Sequence, residues 1–312
     1  MGLGFGCDGA EPVPSADDSA IIDGAEAPLA KWDAIGSLQR DGSAYCTATL
    51  IAEDLVVSAK HCIVRSAPVS FAIGGDAKKP KRIVRVDRFV GSPVFKGGYG
   101  ELGSDVALFH LAEAIDDVAP LAVDHRAWSK RDVTKGYSAF GFGRYDAVVP
   151  GTDGKRRTGK LTVRATSGRA LAALYESEED LAETLEGLDG VKLTSADRET
   201  IHTAYEHELL DGYEIFAGMA QGDAQICHGD SGGPFLRAQG SKPLVAGVVS
   251  AGITLGEVNY RCHGAFFATF GETTLALIDD ALSCAKDVCA ASCTGVLWKP
   301  TNGFSDVKSV CK

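Results

Sequence analysis

From Ile21 to about Phe142 the chain offers helices little room. It presents short apolar runs broken by turn residues: "AIGSLQ", "CTATLIA", "LVVSA", "VSFAIGG", "KRIVRVDRFV" and "DVALFHL". Runs of this kind between turn signals read as antiparallel strands of a sandwich or barrel. Strand-like runs return at "PLVAGVVSAG" and "HGAFFATF", and 37 glycines fit many tight turns. With 312 residues and 45% hydrophobic content, the chain can bury a large core, as one domain or two close-packed halves. The expected class is all-β.

Two stretches break the strand pattern. Residues 168–212 read as an acidic two-helix insertion. Ser177 caps "SEEDLAETLEGL" with Asp180 three residues on; Thr194 or Ser195 caps "TSADRETIHTAYEHELLDG", and Gly212 is its expected stop. Ile201, Ala204, Tyr205, Glu208 and Leu209 form a partial stripe at helical spacing. A last amphipathic helix is expected over "ETTLALIDDALSCA". The acidic, proline-bearing residues 8–20 read as an unstructured leader within a segment 1–20. Residues 21–283 form the main domain, and 284–312 a cysteine-rich tail.

A formal charge of −11 argues against an electrostatic binder of nucleic acid or anionic membrane. The runs Lys78-Lys79-Pro80-Lys81-Arg82 and Lys155-Arg156-Arg157 are short and isolated, and read as solvated loop charges. No run is long enough to span a bilayer. Nine cysteines without zinc-finger spacing point to disulfides in an oxidising compartment, secreted or extracytoplasmic, which for a bacterial source means periplasm or cell surface. Nine is odd, so one thiol is spare or modified. The start "MGLGFGC" is too short for a signal peptide. A small residue before Cys7 resembles a bacterial lipoprotein cleavage site, which leaves a lipid anchor at Cys7 and an incidental cysteine as the two readings. Cys284, Cys289, Cys293 and Cys311 allow three pairings within the tail, with zinc binding as the rival.

Three local patterns carry chemistry. "VVSAKHCI" puts His61 at the end of an apolar run, "GSDVALFHL" puts Asp105 at the mouth of a strand, and "QICHGDSGGPF" puts Ser231 in a glycine cluster. Peptide hydrolysis needs an activated nucleophile, a base near pKa 7 and a group that fixes the base's tautomer; Ser231, His61 and Asp105 supply them in that order. The backbone N–H groups of Gly229 and Ser231 would form an oxyanion hole, worth about 2.7–4 kcal/mol per donor. His110, His125, His202, His207 and His263 have no such company and are assigned no chemistry. No metal or cofactor motif stands out, and the basic "GGDAKKPKR" gives no calcium loop.

"SAKHC", "DVAL" and "GDSGGP", in this order, resemble the trypsin/chymotrypsin family of serine proteases over roughly residues 21–283, with the acidic insertion unmatched. The resemblance implies two antiparallel β-barrels (chymotrypsin-like) with the triad in the cleft between them, a protein or peptide substrate, and no cofactor. It implies disulfides Cys46–Cys62 and Cys227–Cys262. "SAIIDGAEA" resembles the family's activation site: cleavage between Ala20 and Ile21 would free an ammonium to pair with Asp230, making the intact chain a weakly active zymogen. Ala20 in place of Arg or Lys implies an activating protease that is not trypsin-like.

Alignment on "GDSGGP" places Gln225 at the base of the primary pocket, with Ile226 as an apolar wall. Ser250, Ala251 and Gly252 are placed on the strand that pairs with the substrate backbone, and Gly264 leaves the opposite wall open. Without a buried carboxylate there, a substrate Lys or Arg loses its charge partner, so a non-basic residue before the cut is expected. Glu257, if folded into the pocket, would restore basic preference. Lys60 stands beside His61 where the family has a small residue, and is expected in solvent because burying an ammonium is costly. The alternative function is a catalytically silent binding or regulatory member of the same fold.

Overall fold

The structure, a computed structural model, describes residues 21–92, 105–144, 154–256, 261–284, 296 and 298–302. The apolar runs become strands. In the first half, β1 (Ile35–Arg40), β2 (Ser43–Ala52), β3 (Leu55–Ser58), β4 (Val69–Ile73), β5 (Arg82–Gly91) and β6 (Ala107–Leu111) pair in the order β1-β2-β3-β6-β5-β4 and back to β1. The second half repeats the plan. β7 (Gly136–Gly141), β8 (Arg157–Ala165), β9 (Glu214–Ala217), β10 (Pro234–Gln239), β11 (Lys242–Leu255) and β12 (Arg261–Thr269) pair in the order β7-β8-β9-β12-β11-β10 and back to β7. Both are closed six-strand antiparallel barrels. Closure leaves no long strand edge for another chain to pair with.

Alternation along each strand fills the interiors. On β5, Val84 and Val86 turn inward while Ile83 and Arg85 do not. One core runs through the first barrel and across the seam, joining Leu38, Phe71 and Phe109 to Phe140 and Phe142. A second fills the second barrel, where Phe235 stacks on Phe267 with ring centres 4.1 Å apart. The last helix, α3 (Glu272–Cys284), buries Thr274, Ile278, Ala281 and Cys284, a spacing that keeps them on one face. Lys299 and Pro300 pair with Phe89 and Arg88 of β5, laying the tail on the first barrel.

In the insertion, α1 (Glu178–Asp189) begins at Ser177, whose hydroxyl accepts the Asp180 N–H. α2 (Ser195–Glu206) begins at Thr194, which with Asp197 forms a reciprocal capping box. The expected stop at Gly212 is corrected: α2 ends at Glu206. Beyond it the chain extends, because Glu208 and Leu209 pair with Arg169 and Gly168, and His207 turns to Glu214 inside the fold.

The reading of Lys155-Arg156-Arg157 as solvated is also corrected. Arg156 is fully buried, and its guanidinium donates to Asp33 and to the carbonyls of Ala27, Leu29 and Ile35. Arg157 is buried as well, and Lys155 alone stays exposed. A side chain with five donors on a long stem can cross the seam from just before β8 and satisfy the turn entering β1, which a charge count along the sequence does not register. Cys7, the rest of the 1–20 leader, Glu257, Cys289, Cys293 and Cys311 lie outside the described residues, while Cys284 is disulfide-bonded. Replacing Arg156 by Leu leaves Asp33 with Lys81 alone and removes the guanidinium's bonds to the carbonyls of Ala27, Leu29 and Ile35. The expected loss is about 3–5 kcal/mol, the cost of breaking a buried charge pair, measured by urea unfolding; a loss under 1 kcal/mol contradicts this account of the seam.

Candidate active site

β3 and β6 are neighbours, with Ser58 opposite Ala107. That register brings the turn after β3, which carries His61, beside Asp105, two residues before β6. The carboxylate of Asp105 is buried. Its Oδ1 accepts the His61 backbone N–H at 2.9 Å, and its Oδ2 meets His61 Nδ1 at 2.8 Å. An ionised carboxylate only accepts, so Nδ1 carries the hydrogen and Nε2 presents its lone pair. Asp105 Oδ2 also accepts the Ser250 hydroxyl at 2.5 Å, tying the first barrel to β11 of the second.

Ser231 lies in the loop between β9 and β10 and is half-exposed. Among the described residues no direct hydrogen bond joins it to His61. The link is through the Cys46–Cys62 disulfide: the Cys62 sulfur lies within 4.8 Å of a ring nitrogen of His61 and 3.9 Å from the Ser231 carbonyl oxygen.

The loop itself is tightly held. The Thr47 N–H donates to the Ser231 carbonyl at 2.8 Å, and the Thr47 hydroxyl donates to the Gly229 carbonyl at 3.0 Å while accepting the Phe142 N–H. Gly229 has φ +97°, and a Cβ there would sit 2.7 Å from the Gly143 Cα. Gly232 is left-handed too, and a Cβ on it would meet the Ser58 hydroxyl. Only glycine fits either position. Among the described residues, the backbone N–H groups of Gly229 and Ser231 donate to no protein acceptor.

Asp230 is fully buried, and its two oxygens accept the N–H groups of Gly143 and Cys227, each at 2.9 Å. No cation pairs with it among the described residues, and burial pushes its pKa up to about 7. Ile21 is also buried, within the second barrel's core beside Ile226, and forms no ion pair with Asp230 in this uncleaved chain.

Two clefts, each of about 180 Å³, flank Gly229. One is lined by Ile226, Cys227, His228, Ser231, Val249 and the β11 residues Ser250, Ala251, Gly252 and Thr254. The disulfide Cys227–Cys262 forms part of its wall. No carboxylate lines this cleft among the described residues. Gln225 and Gly264 lie outside its lining; Gln225 is engaged through its backbone with Ile22. The other cleft is lined by Ala44, Tyr45, Phe142, Arg144, His228 and Gly229. Burial pushes the Tyr45 phenol up, so it stays protonated and donates to the Cys62 carbonyl.

Lys60 departs from expectation. Its stem lies over Gly91, where no side chain competes for the space, and its ammonium nitrogen is buried rather than in solvent. Sequence reasoning also missed His228, Val249 and Thr254 in the cleft, and Thr47 beneath the loop. His228 and Val249 neighbour motifs already marked, whereas nothing local marks Thr47.

A sequence profile of the family described as Trypsin matches residues 21–175 and 175–270. The chain belongs to the trypsin family. Human transmembrane protease serine 11A is 27% identical over 246 residues, which cover 76% of this chain and 50% of that protein. The chain thus spans about half the length of that curated relative. Neuropsin, described as a serine protease expressed in the limbic system of mouse brain, superposes with a TM-score of 0.56 at 15% identity, over 84% of this chain and 99% of that one. That likeness is one of fold. No helix among the described residues is long and apolar enough to cross a membrane.

Two predictions follow from the trypsin-family loop geometry. A carboxyl whose folded pKa is raised holds its proton more tightly folded than unfolded. Its contribution to stability is therefore greatest below about pH 4, and is lost as pH rises from about 4 to about 7. Urea midpoints of the uncleaved chain should therefore fall relative to those of Asp230→Asn across that window; a parent-to-variant difference that stays constant with pH contradicts it. Thr47→Val should lose about 1–2 kcal/mol in the same assay and Thr47→Ser much less, because only the hydroxyl is at issue.

Proposed function

We propose that the chain is a serine endopeptidase acting through an acyl-enzyme. The observation that carries this reading is the Asp105 carboxylate, which fixes His61 by ring and backbone and also binds Ser250 in the cleft that holds Ser231. His61 Nε2 takes the Ser231 proton as Oγ attacks the peptide carbonyl. The oxyanion then sits on the Gly229 and Ser231 amides. Collapse breaks the C–N bond, and His61 gives its proton to the departing amine. Water, deprotonated by His61, releases the acyl group and restores the Ser231 hydroxyl. Catalytic hydrogen bonds are often long without substrate, so the absent His61–Ser231 bond fits an unliganded form.

The residue before the cut enters the cleft beside Ser231. Among the described residues that cleft is lined by apolar and hydroxyl groups and His228, with no acid, which favours uncharged side chains of small to medium size over Lys or Arg. The departing segment leaves over Tyr45 and Arg144.

The chain is made as a zymogen. An Ile21 ammonium released by cleavage after Ala20 would supply the buried Asp230 with a cation, of which it has none among the described residues, and would fix the loop bearing the oxyanion amides. The two disulfides support an oxidising, secreted or extracytoplasmic space.

The second reading, a silent binding member of the family, is favoured by the absent His61–Ser231 bond if that gap persists after cleavage. A fluorophosphonate should label the chain starting at Ile21, label the intact chain far more slowly, and leave Ser231→Ala unlabelled; no labelling of either form establishes the silent reading. Asp105→Asn should lower kcat by roughly three to four orders of magnitude with little change in KM. Mass-spectrometric cleavage profiling should find uncharged residues before the cut; a profile dominated by Arg or Lys overturns the pocket assignment.

A further inference from the structure

The acidic insertion is the largest part of the chain that this chemistry leaves unused, and it packs on the back of the cleft wall. Where β11 and β12 run past the barrel they form a two-stranded ribbon, with Ile253 opposite His263, Thr254 opposite Cys262 and Leu255 opposite Arg261. Side chains alternate between its faces. Gly252 and Thr254 line the cleft, and Cys262 crosses to Cys227 in the cleft wall. Ile253 and Leu255 turn the other way, into a core with Leu181, Leu185, Ile201 and Tyr205.

Polar contacts converge on the same outer face. Asp189, the last residue of α1, lies 2.8 Å from Arg261 Nε and 3.1 Å from His263 Nε2. Asp197, in the first turn of α2, accepts the Gly256 N–H on Oδ1 at 2.6 Å, with its Oδ2 3.7 Å from Arg261. Both carboxylates are nearly buried, their side chains 9% and 5% exposed. A two-stranded ribbon is marginal in water on its own, so what it packs against decides where it stands.

We propose that the insertion is a brace, and that Asp189 and Asp197 are positioning residues. They hold Gly252–Gly256 and Arg261–His263 where these shape the cleft, and so set selectivity for the residue before the cut. The consequence for selectivity rests on the protease reading; the brace itself does not.

The test uses the full chain with Asp189→Ala, with Asp189→Asn as a milder variant should the first fold poorly. Leu188→Ser is the control, since Leu188 neighbours Asp189 on α1 and is 68% exposed. Hydrogen exchange reads the brace without catalysis: residues 250–256 and 261–264 should exchange faster in Asp189→Ala, and at the parent rate in Leu188→Ser. After cleavage at Ile21, two peptides differing only in Leu or Gly before the cut read the consequence, per site titrated with fluorophosphonate. Asp189→Ala should raise KM for the Leu peptide about tenfold, leave kcat within about twofold, and spare the Gly peptide. Unchanged exchange overturns the brace. Faster exchange with an unchanged Leu-to-Gly ratio reduces Asp189 to a structural role and overturns its part in selectivity. If the parent hydrolyses neither peptide, the protease reading fails while the exchange result still decides the brace.

Discussion

The carboxylate of Asp105 sits between the two barrels and answers to both. From the first barrel it receives the backbone and ring N–H groups of His61; from the second it receives the hydroxyl of Ser250. A carboxylate out of water costs several kcal/mol unless its lone pairs are filled. Here they are filled only when β3, β6 and β11 stand in one arrangement, so satisfying this one acid fixes the His61 ring and the strand beside Ser231 together. Arg156 does the corresponding work at the opposite polarity, with a buried guanidinium that reaches from just before β8 to the turn entering β1. The seam is therefore set by two buried charges as well as by apolar packing.

The nucleophile loop shows the opposite economy. Its left-handed glycines lose backbone entropy on folding, and its buried Asp230 has no cationic partner among the described residues; both costs concentrate around one hydroxyl. Costs of this kind persist where surrounding structure fixes the segment. Thr47 supplies part of that surrounding structure from the first barrel, with a backbone donor to Ser231 and a hydroxyl to Gly229. The loop is held by a partner barrel rather than by its own side chains, which is why it can be so poor in them.

Much of this was legible in the sequence. Short apolar runs at strand spacing foretold the all-β class, because alternation and turn chemistry act locally; the division into two barrels came from the family resemblance. The resemblance carried on "SAKHC", "DVAL" and "GDSGGP" drew attention to the three residues that the structure gathers around the disulfide and the seam. What was not legible depended on long-range contacts. The end of α2 was misplaced because Leu209 has helical spacing, yet its neighbour pairs with Arg169 across the insertion. Arg156 and Lys60 looked like surface charges because their acceptors and the space they fill come from distant segments. Thr47 carries no local mark at all; its importance exists only once Gly229 lies against it.

The insertion fits the same pattern, an element foreign to the barrel plan whose buried acids reach the ribbon behind the cleft. In the proposed mechanism Ser231 Oγ is the attacking atom, and the Gly229 and Ser231 amides hold the charge that develops. A crystal structure of the chain starting at Ile21, after reaction with a peptidyl phosphonate, tests it most directly. The account predicts a bond from phosphorus to Ser231 Oγ, the phosphoryl oxygen within hydrogen-bond reach of both amides, His61 Nε2 turned to the Ser231 oxygen, and the adjoining side chain in the cleft bordered by Ile226 and Thr254. An adduct on another residue, or a phosphoryl oxygen turned to solvent with His61 apart, would contradict it.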